Sequence, residues 1–532
     1  MKKYKIIVIA IIALMTFNSC SDFLSTELTS ASKTSESYYR TPAEDSTALI
    51  GCYNGLNLIW NSGISMPMAA EMASDNCFSG FGTSDNKDNP MVDEFDKTIG
   101  DFPDLYSSNW KAYYQAIFRC NLLIASLDKT TWGDRAALRK QIEAEAKFLR
   151  ASFYFDLVRL FEKVPLVITP TADFVKQAEP AETYAQIMSD LRFAADSLPS
   201  TKYYNTTNGR VTKWAAESML ARVYMFYSGY YGVSEIGGET KATALTAVED
   251  VILNSGHDLV SDFNTLWPAA SDAKGLTYAG EDNKEVVFSI KYNITGNYTG
   301  SVCGNAWMIN SGLRDVNSFP YGNGWGGYTV DPILWNNFTS TDTRRFASIT
   351  SIVDDGINYT SSGTTREYTG YFLKKYSPEC LADNKTSKAV SLGGVNNMIG
   401  QYQDYFVIRY ADVLLMAAEL GSTNAVGYYN QVHQRAIPTA TAVTSVTPDD
   451  ILSERRLEFV GEGIRYWDLL RQGIDKAANT IAANTTLGIA IGKPTAAQLE
   501  ARIKATRGFQ QIPTSEITLA GNASILTQNA GW

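Results

Sequence analysis

Leu138, Ile142, Ala146, Leu149, Phe153 and Leu157 recur at steps of three and four, so one apolar stripe runs along a helix predicted over 134–161. The same spacing, less regular, predicts helices over 42–60, 105–128, 181–197, 211–228 and 240–254. A single amphipathic helix cannot bury its own stripe. Helices joined by short connections therefore suggest helix pairs of tetratricopeptide size, stacked so that neighbours cover each other. The pattern lapses twice. Residues 61–100 carry Gly63, Pro67, Gly80, Gly82 and Pro90 among Asn, Asp and Ser, and residues 256–400 are dominated by Gly, Asn, Thr and Tyr. Within the second lapse only residues 285–290 read as a strand. Helical spacing returns over 402–420, 424–436 and 449–472, and the tail reads as loop. The expected fold is mainly α, with helix-pair repeats and a large irregular, loop-rich region.

The stretch ERRLEFVGEGIRYWDLLRQG (454–473) sets Glu454, Glu458, Glu462 and Asp468 against Arg455, Arg456, Arg465 and Arg471. Pairs three apart, such as Arg455 with Glu458, Glu462 with Arg465 and Asp468 with Arg471, meet on a helix face. Leu457, Val460, Ile464, Trp467 and Leu470 supply an apolar stripe, which Gly461 and Gly463 interrupt. Two short helices about a tight turn are expected. Arginine does not titrate usefully, so the charges read as a structural ion-pair network at a helix corner, not as acid–base machinery.

Charge and targeting narrow the function. Lys2, Lys3 and Lys5 precede an apolar run over 6–17 that is too short to span a bilayer and suits a signal peptide. It ends at Phe17-Asn18-Ser19-Cys20, which resembles a bacterial lipoprotein signal. That resemblance implies removal of 1–19 and a fatty-acylated, palmitate-bearing Cys20; an ordinary secretory signal is the alternative. Several acyl chains would hold the protein on a membrane surface, through a Ser/Thr-rich tether over 20–40. The rest divides into 41–255, the helical repeats, and 256–532, with the loop-rich insertion, packed as one body. The net charge of −10 and the absence of a later Lys/Arg block argue against a nucleic-acid partner.

Candidate chemistry is sparse. The two histidines stand far apart, and no zinc spacing exists, so neither metal nor cofactor is expected. Cys52, Cys77, Cys120, Cys303 and Cys380 read as buried small residues with at most one or two disulfides of open pairing. Residues 322–327 match G-x-G-x-x-G, yet Pro320 and Tyr321 precede them and Asp331-Pro332 follows, so the strand and helix of a phosphate loop are missing. No nucleophile elbow occurs and nothing selects an acid pair, so no catalytic residue is assigned. What stands out is aromatic rings in polar loops: Trp60, Phe78, Phe81, Trp267, Tyr298, Trp307, Tyr321, Trp325 and Tyr328. Flat rings cover the CH-rich faces of a sugar, and amides, carboxylates and guanidinium bond its hydroxyls. Trp60, Phe81, Trp307, Tyr321, Trp325 and Tyr328 are the ligand-binding candidates; alternatively, each ring pins its loop to the helical body. Trp325, among four glycines, is the one most expected to be exposed.

Several longer pieces carry a resemblance: SCSDFL (19–24), AIFRCNLLI (116–124), EAKFLRASFYFDLVRLFEKVPLV (145–167), GRVTKWAAESMLARVYM (209–225), YFVIRYADVLLMAAE (405–419), the 454–473 stretch, QIPTSEI (511–517) and the terminal LTQNAGW. Together they resemble the SusD/RagB family of outer-membrane glycan-binding lipoproteins of Bacteroidetes, with Ala530 where proline is usual. The resemblance implies four tetratricopeptide-like pairs and a non-enzymatic binder of oligosaccharide or polysaccharide at the cell exterior. It also implies delivery to a SusC-like TonB-dependent transporter that meets the helical face. Binding residues in this family lie on variable loops, so none carries over. A binder of peptide or glycopeptide nutrients, and less so a surface glycoside hydrolase, are the alternatives.

Overall fold

The computed structural model describes residues 37–99, 104–203, 209–296, 303–485, 493–522 and 524–532. The signal, Cys20, most of the tether and Tyr298 lie outside them. Helix α1 (Pro42–Trp60) begins at Thr41, whose hydroxyl accepts the Glu44 N–H while the Glu44 carboxylate accepts the Thr41 N–H. Then follow α2 (Met66–Met72), α3 (Ser107–Ser126), α4 (Ala136–Phe161), α5 (Pro180–Ser197), α6 (Lys213–Tyr231) and α7 (Lys241–Asn254). Each helix from α3 to α7 packs on the next, and α1 lies on α3 and α4. The stripe of α4 is buried from Ile142 to Leu157, as its spacing predicts. The mainly helical expectation holds, and one contiguous apolar core draws residues from Tyr39 to Leu526. No helix among the described residues is long and apolar enough to cross a membrane.

The two lapses are less irregular than their composition suggests. The longer strands are β1 (Cys77–Ser79), β2 (Val286–Ile290), β3 (Tyr328–Val330), β4 (Ile349–Ser351), β5 (Tyr371–Leu373) and β6 (Tyr405–Arg409). β1, β3, β5 and β4 form one sheet in that order. Cys77 sits opposite Val330, so the first loop region is sewn to the second.

Two of the expected elements need correction. Residues 405–409 belong to a strand, not to a helix over 402–420. β6 pairs antiparallel with β2, and helix α8 (Tyr410–Glu419) starts only at Tyr410. Tyr-Phe-Val-Ile favours extended backbone, and a strand partner was available. The tail is helical too. After α9 (Ala425–Ala436), α10 (Pro448–Glu458) and α11 (Arg465–Leu470) come α12 (Ile474–Ala483), α13 (Ala496–Ala505) and α14 (Thr514–Ala520). Thr495 and Gln498 cap α13 reciprocally.

The charged stretch forms two short helices about a turn in which Gly461 and Gly463 take positive φ. Its expected pairs mostly do not form. Asp468 bonds Arg471 at 3.0 Å, but Arg465 and Arg456 turn to Asp75, and Arg455 bridges Asp412 and Asp468. The turn breaks the helix between 458 and 465 and so separates Glu462 from Arg465. Arg455 and Glu458 share α10 but are taken by other partners, Arg455 by Asp412 and Asp468 and Glu458 by Arg344, Arg409 and Arg435. The network is structural and ties α10 and α11 to α8 and to the loop after α2.

Candidate functional site

Four of the six candidate rings are buried. Tyr328 lies 4.5 Å from Trp307 and 6.0 Å from Phe81, centroid to centroid, so these three do converge, but inside the protein. Asn305 caps the short helix Ala306–Ser311, and Trp307 on its first turn points into the core. Tyr321 is held by backbone bonds to Ser318 and lies under the Lys374 ammonium. A ring so covered offers no face to a sugar in this conformation. These four pin their loops, as Phe78 and Trp267 do. Trp60 is half-buried, edges onto Tyr405 at 4.6 Å, and lines a narrow cavity of about 70 Å³ beside Arg159, Arg222 and Trp467.

Trp325 is different, being 36% exposed. The backbone around it is laced flat onto the segment below. Trp325 N–H donates to Ile309 O at 2.8 Å, Gly326 N–H to Gly312 O at 2.7 Å, and Gly327 N–H to Asn310 O at 2.7 Å. Side chains cannot fit beneath. A Cβ on Gly324 would meet Gly312 Cα at 2.5 Å, and one on Gly327 would meet Phe81 Cζ at 2.5 Å. The glycines that match a phosphate motif therefore serve close packing, and the single large side chain among them is turned outward.

Polar groups gather along the backbone segment that carries that ring. Arg314 pairs in parallel register with Gly324, and its guanidinium meets Asp85 at 2.8 Å and Asp315 at 3.4 Å. Arg366 fixes the Asp85 loop by donating to the carbonyls of Gly82, Asp85 and Asn86. Asn317 accepts the Asn323 N–H, and Asn397 donates to Asn323 O, both at 2.7 Å. Tyr359 interacts with Arg314, stacks on Tyr368 with centroids 5.3 Å apart, and shares a hydroxyl–hydroxyl bond of 2.7 Å with Thr365. Burial pushes its phenol pKa up. An exposed indole can serve as an apolar platform, and amides, carboxylates and a guanidinium are fixed to the backbone segment that carries it. Arg314, Asp85 and Tyr359 carry no sequence signal for this role, because the fold brings them together from three separate loops.

A second concavity, of about 600 Å³, lies on the helical side. α3 contributes Trp110, Tyr114 and Phe118, the 165–175 segment Phe174, and the C-terminal region Ile525 and Leu526. Phe118 and Phe174 are exposed there. Among the described residues no group of three His, Cys, Asp or Glu side chains could hold a metal ion.

Known proteins share this architecture. Residues 284–532 match the model described as the SusD family, and residues 63–225 match one described as starch-binding, associating with the outer membrane. A SusD-like protein P2 of Formosa agariphila is 25% identical over the full length of both chains. A SusD-like protein of Bacteroides ovatus is 26% identical over 88% of this chain and 82% of its own. Among solved structures, surface glycan-binding protein A from Bacteroides uniformis is 27% identical over 92% of this chain and all of its own, with a TM-score of 0.71. A laminarin-binding SusD-like protein, 24% identical, covers 93% of this chain and all of its own with a TM-score of 0.73, and shows the fold.

Proposed function

The chain belongs to the SusD/RagB family, and from that premise we propose that it is a non-enzymatic surface binder of oligosaccharide or polysaccharide. The observation that carries the reading is Trp325, which stands exposed among close-packed glycines on a segment paired with Arg314. A relative of the same fold, 27% identical, is named a surface glycan-binding protein. The carboxylates of Asp85 and Asp315 are both engaged by Arg314, which suits binding better than proton transfer. Affinity electrophoresis across a panel of polysaccharides tests the reading. Retardation by one or more glycans is expected, and free migration through all of them would overturn it. Equal heats on titrating peptides in place of glycans would favour the peptide-binding alternative.

The finer parts of the reading are also proposals. Fatty acylation of Cys20 anchors the protein to the outer membrane facing the exterior, and it passes glycan to a SusC-like TonB-dependent transporter. The signal-like N-terminus supports the first, and the family description of association with the outer membrane supports the location. The apolar groove beside α3, with Phe118 and Phe174 exposed, supports a protein partner on the helical face. Incorporation of labelled fatty acid that Cys20→Ala abolishes, and co-purification of a large β-barrel from solubilised membranes, are the expected results.

A further inference from the structure

Cys52 of α1 and Cys120 of α3 face each other where these two helices cross. Two contacts set the register. The Arg119 guanidinium donates to Gly51 O at 3.3 Å, and a Cβ on Gly55 would lie 2.7 Å from Ala116 Cβ. As one chain number rises the other falls, so the helices run antiparallel. Cys52 lies three residues before Gly55 and Cys120 four after Ala116, so each sits about one turn along the face that makes this contact. The Gly55 Cβ position is 3.6 Å from Ala116 Cα. The two backbones thus approach closely at this crossing, and a disulfide requires Cα atoms about 4.4–6.8 Å apart. Both thiols are fully buried and free, and burial, then Cys52 beside it, holds the Cys120 pKa well above that of an ordinary thiol. Cys380 is placed otherwise, with its thiol donating to Tyr321 O at 3.2 Å, and Cys77 lies 4.0 Å from Glu71 Oε2.

We infer that Cys52 and Cys120 form a disulfide when the protein folds in an oxidising compartment, fastening α1 to α3. The oxidant is a disulfide carrier, protein or low-molecular-weight. One cysteine thiolate attacks a carrier sulfur and releases the other as a thiol. The second cysteine then attacks the mixed disulfide, so one protein S–S bond forms and the carrier leaves as two thiols, having taken two electrons and two protons. The exchange precedes closure of α1, since both sulfurs are inaccessible afterwards. α1 is the first helix after the tether, and on the reading that Cys20 is lipid-anchored, any pull on the anchor enters the fold there. A bridge at this crossing would pass that load to α3 and the core.

The test uses the full chain taken from the envelope of cells that export it. The sample is quenched in acid, denatured, alkylated with N-ethylmaleimide without reductant, and digested. Tryptic peptide 120–129 is expected joined to peptide 41–87, with a further cut after Tyr53 assigning the bridge to Cys52 rather than Cys77. The linked pair should vanish on reduction, and Cys52→Ser should leave Cys120 fully alkylated. Complete alkylation of Cys120 in the unreduced wild type, or its linkage to Cys77, Cys303 or Cys380, would overturn the inference.

Discussion

The guanidinium of Arg465 forks onto the Asp75 carboxylate with nitrogen–oxygen distances of 2.8 and 2.9 Å, across 390 residues of chain. Both side chains are buried, and Arg456 adds a third contact at 3.2 Å. Burial alone would raise the Asp75 carboxyl pKa, but Arg465 and Arg456 outweigh it and hold it below the usual value. Asp75→Ala leaves two buried guanidiniums without their counter-ion. Breaking a buried pair from one side costs about 3–5 kcal/mol, and we expect that loss in urea unfolding. A loss below about 1 kcal/mol, the range of exposed pairs, would show that the network is solvated.

Trp325 and Trp307 make opposite predictions. Trp307 is 2% exposed and packs on Tyr328, so Trp307→Ala should cost about 3–5 kcal/mol of stability by emptying a core site. Trp325→Ala should leave the melting temperature nearly unchanged and weaken glycan binding by about 1–3 kcal/mol, the scale of an aromatic anchor, or roughly 5- to 150-fold. Calorimetry and thermal melts on both variants check the pair of outcomes. A collapsed melt for Trp325→Ala would make that ring another loop pin.

The contrast shows what the residue pattern could and could not carry. α4 was legible because its stripe repeats over several turns, and the break between α10 and α11 because two glycines stand in it. β6 was not, since Tyr405, Phe406, Ile408 and Arg409 are buried alongside the apolar helix that follows, and an apolar run buried on both faces has no telling period. β1 and β3 are three residues each and pair across some 250 positions, so neither has a local signal. Trp307 and Trp325 sit in similar Gly/Asn-rich sequence. What separates them is tertiary, a capped turn that aims one inward and a backbone pressed onto 309–314 that aims the other out. The Arg314–Asp85 contact depends on the same long-range assembly.

Gly463 holds the turn of the charged stretch against α2. Its φ is 67°, a Cβ there would lie 2.6 Å from Pro67 Cα, and its N–H donates to Glu71 Oε1 at 2.9 Å. Gly521 has a similar φ of 66° but open space where its Cβ would go. Gly521→Ala should cost about 1 kcal/mol, for the left-handed backbone alone. Gly463→Ala must also move a backbone neighbour and should cost about 1–3 kcal/mol more. Urea midpoints of the two variants measure the difference, and equal values would mean that α2 yields freely.

Glu458 provides the clearest dependence on pH. Its Oε1 accepts from Arg409 at 2.9 Å and Arg435 at 2.6 Å, and its Oε2 from Arg344 at 3.2 Å. Burial by itself would push its carboxyl up, but Arg435, Arg409 and Arg344 outweigh that and hold the pKa at about 2, against 4.5 for an ordinary glutamate. A carboxyl depressed by folding stabilises fully above its unfolded pKa, and that stabilisation fades as pH falls through the folded value. Glu458→Gln should therefore cost about 3–5 kcal/mol at pH 7. The gap to wild type should stay constant down to about pH 4.5 and close toward pH 2, because protonation then removes from the wild type the same negative charge that the amide lacks. Taking the difference between the two proteins in urea midpoints at pH 7, 5, 4 and 3 cancels the acid lability that they share. A gap unchanged at pH 3 would mean that the three guanidiniums are held by shape and by other carboxylates, such as Glu285 and Glu462, and not by the charge on Glu458.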